Sequence, residues 1–368
     1  MAVTITKPVR RRAHFHKLRV AAVDELTDDA VVVAFEVPAE LRETFEFRPG
    51  QHLTLRRSGE DDVRRSYSIC STPGELATGT LRIGVRLVPG GEFSTYLHEE
   101  LKPGDLIEVM PPLGHFTTEF QADRHYAAIV AGSGITPVLS LVSTALTTEP
   151  TCRFTVLYGN RYSRSVMFLE ELADLKNRFP TRLQLAHVLS REPQESELFS
   201  GRLDPRRLGR IFDALLPVSD VDEWFLCGPQ GLVDGARDVL TERGAAAERV
   251  HVELFFAEGE EAERRTAVAP PAEDDADAAT VTIVLDGRSS SFAMGREERV
   301  LDAARRVRGE VPFACTGGVC GTCRAKLVDG EVRMARNYAL EPDELAAGYV
   351  LTCQSSPVTD TLTIDYDA

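Results

Sequence analysis

No stretch of this 368-residue chain stays apolar for the eighteen or so residues that a membrane-spanning helix needs. The N-terminal "MAVTITKPVRRRAHFHK" has basic residues but no apolar run behind them, so a secretory leader is not expected and the cytoplasm is. Positive charge is scarce: 42 Lys and Arg face 57 Asp and Glu, a net charge of −15. Beyond the short run Arg10 to Arg12 there is no basic stripe to release counterions from phosphates, so nucleic acid is not an expected partner. That run reads as a solvated terminus. The acidity bears on solubility and docking rather than on fold. Seven cysteines, an odd number without a leader, argue against a disulfide scaffold. With 43% hydrophobic and 27% charged residues, the composition is that of an ordinary globular protein. The length suffices for two or three domains, each with its own core.

One segment is poor in large apolar side chains. Ala257 to Ala279, "AEGEEAERRTAVAPPAEDDADAA", carries eight acids against Arg264 and Arg265 and contains a Pro-Pro pair. It cannot fill a core and reads as a linker, 257–279. The remaining residues, 280–368, then form a separate module. Before the linker, residues 13–120 alternate in short period-2 runs such as "VVVAFEV", "HLTLRR", "RSYSIC" and "LRIGVRL", separated by turns such as "RPGQ" and "KPGD". That texture predicts an antiparallel barrel. From 121 to 256 the rhythm changes to strand, turn, helix, as in "YAAIVAGSGITPVLSLV" and "WFLCGPQGLVDGARDVL". Buried strands alternating with helices predict a doubly wound parallel sheet.

Several motifs carry chemistry. "IVAGSGITPVLSLV" places Gly132, Ser133 and Gly134 after an apolar strand, with Thr136 and Pro137 in the first turn of a helix. Such a turn lets a pyrophosphate approach the backbone and meet the positive helix end, although it departs from G-x-G-x-x-G and also serves as a plain turn. Ser190 and Arg191 in "HVLSREP" end a later strand. There a hydroxyl and a guanidinium suit a 2′-phosphate, hence NADPH over NADH, unless the arginine is simply solvated. Cys227 in "FLCGPQ" ends another strand at the same edge and is either a small hydrophobe or part of a nicotinamide pocket. In the barrel, "RRSYSICSTP" offers Arg65 to a phosphate, with Ser66, Tyr67 and Ser68 beside a fused-ring cofactor. "VPGGEFSTYL" adds a phosphate-friendly turn at Gly91, Phe93, Ser94 and Thr95.

The densest signal is "CTGGVCGTC". Cys315, Cys320 and Cys323 stand at C-x4-C-x2-C spacing, and Cys353 comes twenty-nine residues later. This is the plant-type [2Fe-2S] spacing. Structural zinc sites pair C-x2-C with a second such pair or with two histidines, and neither occurs in this tail. A zinc-stapled interaction module on an inactive scaffold stays open as the reading of another class.

Taken together, "RSYS", "GGEFSTYL", "GSGITP", "CGPQ" and the terminal cysteines resemble the ferredoxin–NADP reductase superfamily fused to a plant-type ferredoxin. The tail, through "NYALEPDE", is similar to that of the reductase subunits of phenylacetyl-CoA epoxidases. The resemblance implies a six-stranded flavin-binding barrel, an α/β nucleotide domain and an α+β β-grasp ferredoxin domain. It implies that Arg65, Ser66, Tyr67, Ser68, Gly91, Phe93, Ser94 and Thr95 hold FAD. Gly132, Ser133, Gly134, Thr136, Pro137, Ser190 and Arg191 would bind NADPH. Cys227 would lie by the nicotinamide, and Glu253 with Phe255 (or Phe256) by the flavin. The implied catalytic set is Ser68, Cys227 and Glu253, and the implied partner is a di-iron oxygenase. Reductases of steroid or aromatic-ring hydroxylases share all these redox motifs.

Overall fold

The computed structural model describes residues 14–57, 63–255 and 278–368. The run Arg10 to Arg12, Phe256 and nearly all of the expected linker lie outside the described residues. Two compact units form, one within Lys17–Arg265 and one that groups the described residues up to His16 with those of Thr266–Ala368. Among the described residues, no helix is long and apolar enough to cross a membrane.

The first unit begins with six strands: β1 (His16–Thr27), β2 (Ala30–Glu36), β3 (His52–Arg56), β4 (Arg64–Ser68), β5 (Thr80–Arg86) and β6 (Leu106–Val109). They run in the order β4-β3-β6-β1-β2-β5. A bridge between Ile69 and Ile83 joins the two ends of this sheet, making it a barrel. Alternation does what period-2 patterning demands: Leu18, Val20, Val31, Val33, Phe35, Leu53 and Leu55 are all buried inside. Between β4 and β5, helix α1 (Pro73–Ala77) starts on a capping box of Thr72 and Glu75. Helix α2 (Glu92–Thr95) comes after β5.

Next come β7 (His125–Ala131), α3 (Ile135–Thr148), β8 (Arg153–Asn160), α4 (Leu169–Arg178), β9 (Leu183–Leu189), α5 (Pro205–Ala214), β10 (Glu223–Gly228), α6 (Gln230–Glu242) and β11 (Val250–Leu254). The sheet order is β11-β10-β7-β8-β9, with every neighbouring pair parallel. The strand order reverses beside β7, so its C-terminal edge is the crevice where open α/β sheets take ligands. The texture change near His125 marks where this sheet starts, yet the core does not stop there. Ala30, Val32, Cys70 and Phe116 from the barrel side pack with Val138, Leu141 and Phe225, and the rings of Phe116 and Phe225 meet edge-on at 5.5 Å. Shared apolar burial therefore makes one unit of two sequence textures.

The second unit holds β12 (Ala279–Leu285), β13 (Arg288–Met294), α7 (Val300–Val307), β14 (Arg324–Asp329), β15 (Val332–Met334), α8 (Pro342–Ala346), β16 (Tyr349–Leu351), β17 (Ser355–Pro357) and β18 (Thr361–Asp365). Its main sheet runs β13-β12-β18-β14-β16, with the first and last strands of the unit, β12 and β18, parallel. Helix α7 turns Val300, Leu301, Ala303 and Ala304 onto this sheet, which gives the β-grasp architecture. The segment between α7 and β14, 308–323, carries three of the four cysteines of the tail.

Candidate functional site

At the crevice, side chains from both halves of the first unit converge. Glu253 on β11 stands in register with Cys227 on β10. Its Oε2 accepts a hydrogen bond from Ser68 Oγ at 3.2 Å and lies 3.8 Å from the Cys227 thiol. The three residues expected as a catalytic set are thus brought together across 185 positions of chain. Burial pushes the Glu253 carboxyl up from 4.5 to about 8, against the lowering effect of the Ser68 and Cys227 hydrogen bonds. The Cys227 thiol is pushed up too, first by burial and then by Glu253. It is therefore a neutral, soft wall of the site rather than a thiolate nucleophile. Sequence reasoning missed His52 here. Its Nδ1 lies 4.0 Å from Glu253 Oε1, and it faces Ser68 across the β3–β4 pair. The sequence held a signal, since register along two antiparallel strands puts His52 opposite the serine.

The flavin-side residues divide into those presented and those used internally. Tyr67 is half-buried and stacks at 6.2 Å on Phe93, which is itself buried in the barrel core. Phe93 therefore supports the tyrosine ring from beneath. Arg65 donates to the Arg64 carbonyl at 2.8 Å, and Ser66 Oγ lies 3.3 Å from Thr54 Oγ1. The hydroxyls of Ser94 and Thr95 turn back to the Gly91 carbonyl at 3.1 and 2.8 Å. They hold the turn in shape, leaving backbone N–H groups as what this loop offers a phosphate.

On the nucleotide side, the turn from Gly132 to Gly134 runs straight into the fourteen residues of α3. Gly132 sits at φ +57°, and its carbonyl accepts from the Tyr158 hydroxyl at 2.9 Å. Gly134 is required for a different reason: a Cβ there would stand 2.3 Å from the Cys227 carbonyl oxygen. Thr136 Oγ1 bonds back to the Ser133 carbonyl at 2.9 Å, and Pro137 is buried in α3. The loop is thus packed so that backbone, not side chain, faces the crevice, which suits a pyrophosphate. Ser190 and Arg191 come just after the end of β9, with Arg191 exposed. The Arg191 amide donates to the Arg161 carbonyl at 2.9 Å, so this edge presents two exposed arginines. Arg161 had no motif of its own to mark it. Phe255 comes directly after β11, and its amide bonds the Gly228 carbonyl at 3.4 Å.

In the second unit the four cysteines lie together, Cys315 beside Cys320 and Cys353 beside Cys323, and Cys315 and Cys353 each also feel further thiols of the four. The amides of Gly317 and Cys320 both point at Cys315 Sγ at 3.4 Å, and the Cys315 amide points at Cys320 Sγ at 3.4 Å. Gly318 and Gly321, at φ +85° and +67°, allow the loop to wrap this tightly. Gln354 ties the far end, donating to the Thr316 carbonyl at 2.7 Å with Cys353 Sγ at 3.8 Å. Four thiols at this spacing, three from one glycine-rich loop and one from the returning chain, are the donor set of a two-iron cluster. The neighbouring Cys320 and then burial push the Cys315 thiol up, Cys323 and then burial do the same for Cys353, and Cys315 in turn draws Cys320 down to about 6.

A barrel with a stacking tyrosine, a dinucleotide crevice and a four-thiol cage together define a flavin- and nicotinamide-dependent iron–sulfur oxidoreductase. Comparison with known proteins agrees along the chain. The family descriptions "Oxidoreductase FAD-binding domain", "Oxidoreductase NAD-binding domain" and "2Fe-2S iron-sulfur cluster binding domain" match residues 17–118, 128–238 and 283–358. A subunit of the 1,2-phenylacetyl-CoA epoxidase of Escherichia coli K12 is 44% identical over 360 residues, covering 96% of this chain and 98% of that one. The ferredoxin reductase component of a Rhodococcus rhodochrous 3-ketosteroid-9-alpha-monooxygenase is 36% identical, covering 95% and 96%. The solved phthalate dioxygenase reductase has the same fold, with a TM-score of 0.58 at 23% identity over 95% of this chain and 98% of its own. The chain belongs to the ferredoxin–NADP reductase superfamily fused to a plant-type ferredoxin, the reductase components of multicomponent oxygenases. It carries electrons from NAD(P)H through FAD to a [2Fe-2S] cluster and on to an oxygenase.

Proposed function

We propose that this reductase, in the cytoplasm, takes its electrons from NADPH and serves a di-iron oxygenase, that of a phenylacetyl-CoA epoxidase in phenylacetate degradation. The observation that carries the partner is the 44% identity to an epoxidase subunit over almost the whole of both chains. A steroid or ring-hydroxylating oxygenase is the second reading, supported by the 36% identical steroid monooxygenase reductase. The zinc-module alternative is disfavoured by the match of residues 283–358 to a 2Fe-2S iron-sulfur cluster binding domain.

In this reading Tyr67, resting on Phe93, gives the flavin ring its flat support, and Arg65 with the Gly91–Thr95 turn holds its phosphates. Ser66 belongs to the same strand, and Phe255 covers the site from the end of β11. Ser68, fixed by its bond to Glu253, directs its hydroxyl into the crevice where the rings meet. Cys227 excludes water beside the nicotinamide as a neutral thiol. The backbone from Gly132 to Pro137 takes the dinucleotide pyrophosphate, and Ser190 and Arg191 take the 2′-phosphate. When bound, a flavin would supply the chemistry that takes a hydride's two electrons together and releases them singly, and Cys315, Cys320, Cys323 and Cys353 would hold the cluster that receives them. The domain limits 13–120, 121–256 and 280–368 stand as part of this proposal, with 257–279 as tether.

Reconstitution with purified epoxidase oxygenase subunits tests the partner: NADPH-driven epoxidation of phenylacetyl-CoA is expected, and none in the presence of a reducible cluster refutes it. For the nucleotide, Arg191→Ala is expected to lower kcat/KM for NADPH on the order of tenfold to a hundredfold while sparing NADH. Equal efficiency for both nucleotides, unchanged by the substitution, refutes that assignment.

A further inference from the structure

Four described residues other than glycine have a positive φ: Asp123, Phe168, Asp286 and Thr316. Only Thr316 among them is β-branched. At φ +52° its branched side chain crowds the backbone, a conformation that threonine leaves unless its surroundings hold it there. Thr316 is buried and stands directly after Cys315 in the cysteine loop. Glycine, which takes positive φ freely, occupies Gly318 and Gly321 of that loop but not this position. Some other group must keep Thr316 in place.

We propose that Gln354 is that group, a positioning residue that grips the Thr316 carbonyl and so aims the next N–H at Cys315 Sγ, easing electron entry at the cluster. The proposal rests on the reading of Cys315, Cys320, Cys323 and Cys353 as the cluster's ligands. The Thr316 carbonyl and the Gly317 N–H belong to one planar trans peptide and point in opposite directions. Both ends of that peptide are held. Gln354 Nε2 donates to the carbonyl at 2.7 Å, and Arg299 Nη1, from the residue that caps α7, reaches it at 3.4 Å. At the other end the Gly317 N–H donates to Cys315 Sγ at 3.4 Å. Relaxing Thr316 to an ordinary φ would swing the carbonyl off Gln354 and the N–H off the sulfur together. Donors on the carbonyl also polarise the peptide, which strengthens its N–H as a donor. Reduction of a cluster held here adds negative charge at the ligand sulfurs, and N–H groups already aimed at sulfur favour that state.

Gln354 suits the task because it is itself fixed. Its N–H donates to the Leu351 carbonyl at 2.9 Å, and its carbonyl accepts from the Ala335 N–H at 2.8 Å. Its stem packs on Gly318, where a Cβ would come within 3.0 Å of Gln354 Cγ. The Thr316 and Cys353 carbonyls only accept, so the amide turns its NH₂ end to both, at 3.0 Å from the second. The same nitrogen lies 3.8 Å from Cys353 Sγ. One buried side chain thus ties the ligand on the returning chain to the loop that carries the other three. Arg299 is the weaker hold, being half-buried and the longer of the two contacts.

The test uses the flavin- and cluster-loaded full-length protein. Gln354→Met keeps the stem and removes the donors. The cluster's potential, titrated by the electron paramagnetic resonance signal of the reduced protein, is expected to fall. Electron uptake should be disfavoured on the order of tenfold, which is about 59 mV for one electron. Resonance Raman supplies a second readout: the deuterium shift of the iron–thiolate bands, which reports N–H donors on sulfur, is expected to shrink. Thr316→Gly discriminates, because glycine removes the strain that Gln354 restrains. With Thr316→Gly added to Gln354→Met, about half or more of both losses is expected to return. An unchanged potential and Raman shift in Gln354→Met holding two irons overturn the inference. So does a fall that Thr316→Gly leaves in full, since Gln354 would then act only through Cys353. If Gln354→Met holds no iron, its recovery on adding Thr316→Gly supports the proposal and no recovery overturns it. Failure of the ligand reading shows separately, as iron retained in full by Cys353→Ser.

Discussion

Replacing Glu253 with glutamine removes a charge that the fold disfavours while keeping its shape. The native carboxyl lies near 8 when folded and at an ordinary 4.5 when unfolded, with burial as the leading cause. Because the folded value is the higher one, the unfolded chain sheds its proton first as pH rises. The stability tied to this group is therefore whole below about pH 4.5 and declines until the folded group ionises near pH 8. At about 1.4 kcal/mol per pH unit, the loss between those limits is about 5 kcal/mol. Glutamine has no such dependence. The difference in unfolding free energy between native and Glu253→Gln is thus expected to shift towards the variant by several kcal/mol from about pH 5 to about pH 9. Trp224 is the only tryptophan in the chain and is buried on β10, so urea unfolding read by its fluorescence reports on this unit alone. Groups not coupled to Glu253 titrate alike in both proteins and cancel in the difference, and Cys227, which is coupled, stays a neutral thiol when folded through this range. Parallel stability curves over that range would refute the reasoning, since they would mean that Glu253 is hydrated or paired when folded. The catalytic side of the same substitution is a fall in flavin bleaching by NADPH on the order of a hundredfold, read by stopped flow.

Cys353→Ser removes one of the four thiols, and the protein is expected to lose its iron and labile sulfide while flavin-dependent ferricyanide reduction persists. Retention of two irons per chain by that variant would contradict the assigned cage. Arg82 on β5 holds Glu75 at 2.8 Å and grips Glu171 on α4 with two bonds of 2.8 and 3.2 Å, joining barrel to parallel sheet. With both acids about a third exposed, Arg82→Met should cost about 2 kcal/mol in the Trp224 urea midpoint. Gly134→Ala drives a methyl into the Cys227 carbonyl and should both weaken NADPH binding and destabilise the unit by about 1–3 kcal/mol. Calorimetric titration with NADP⁺ and the same urea assay check it. Shortening 257–279, which composition marks as a linker, is expected to slow reduction of the oxygenase but not of ferricyanide. Equal rates for both acceptors argue against a tether that moves.

Much of this protein is written in local pattern. Period-2 runs over 13–120 and buried strands alternating with helices over 121–256 depend on neighbours in sequence, so barrel and parallel sheet were legible before any packing was known. The C-x4-C-x2-C loop was legible too, because a wrapped cage takes most of its ligands and its glycines from one short segment. Long-range pairing was not. That Cys353 comes to the loop of Cys315, Cys320 and Cys323 is decided by the return of the chain between β16 and β17. The inward turn of Ser94 and Thr95 and the burial of Phe93 beneath Tyr67 come from the barrel's interior, which no spacing in "GGEFSTYL" reveals. Above all, His52, Ser68, Cys227 and Glu253 are separated by up to about two hundred positions, and only the packing of sheet edge on barrel brings them within hydrogen-bond reach or nearly so. Residue type and spacing determined which chemistry the chain is able to hold. Burial, which depends on everything packed around a group, decided which carboxyl keeps its proton and which imidazole stands beside it.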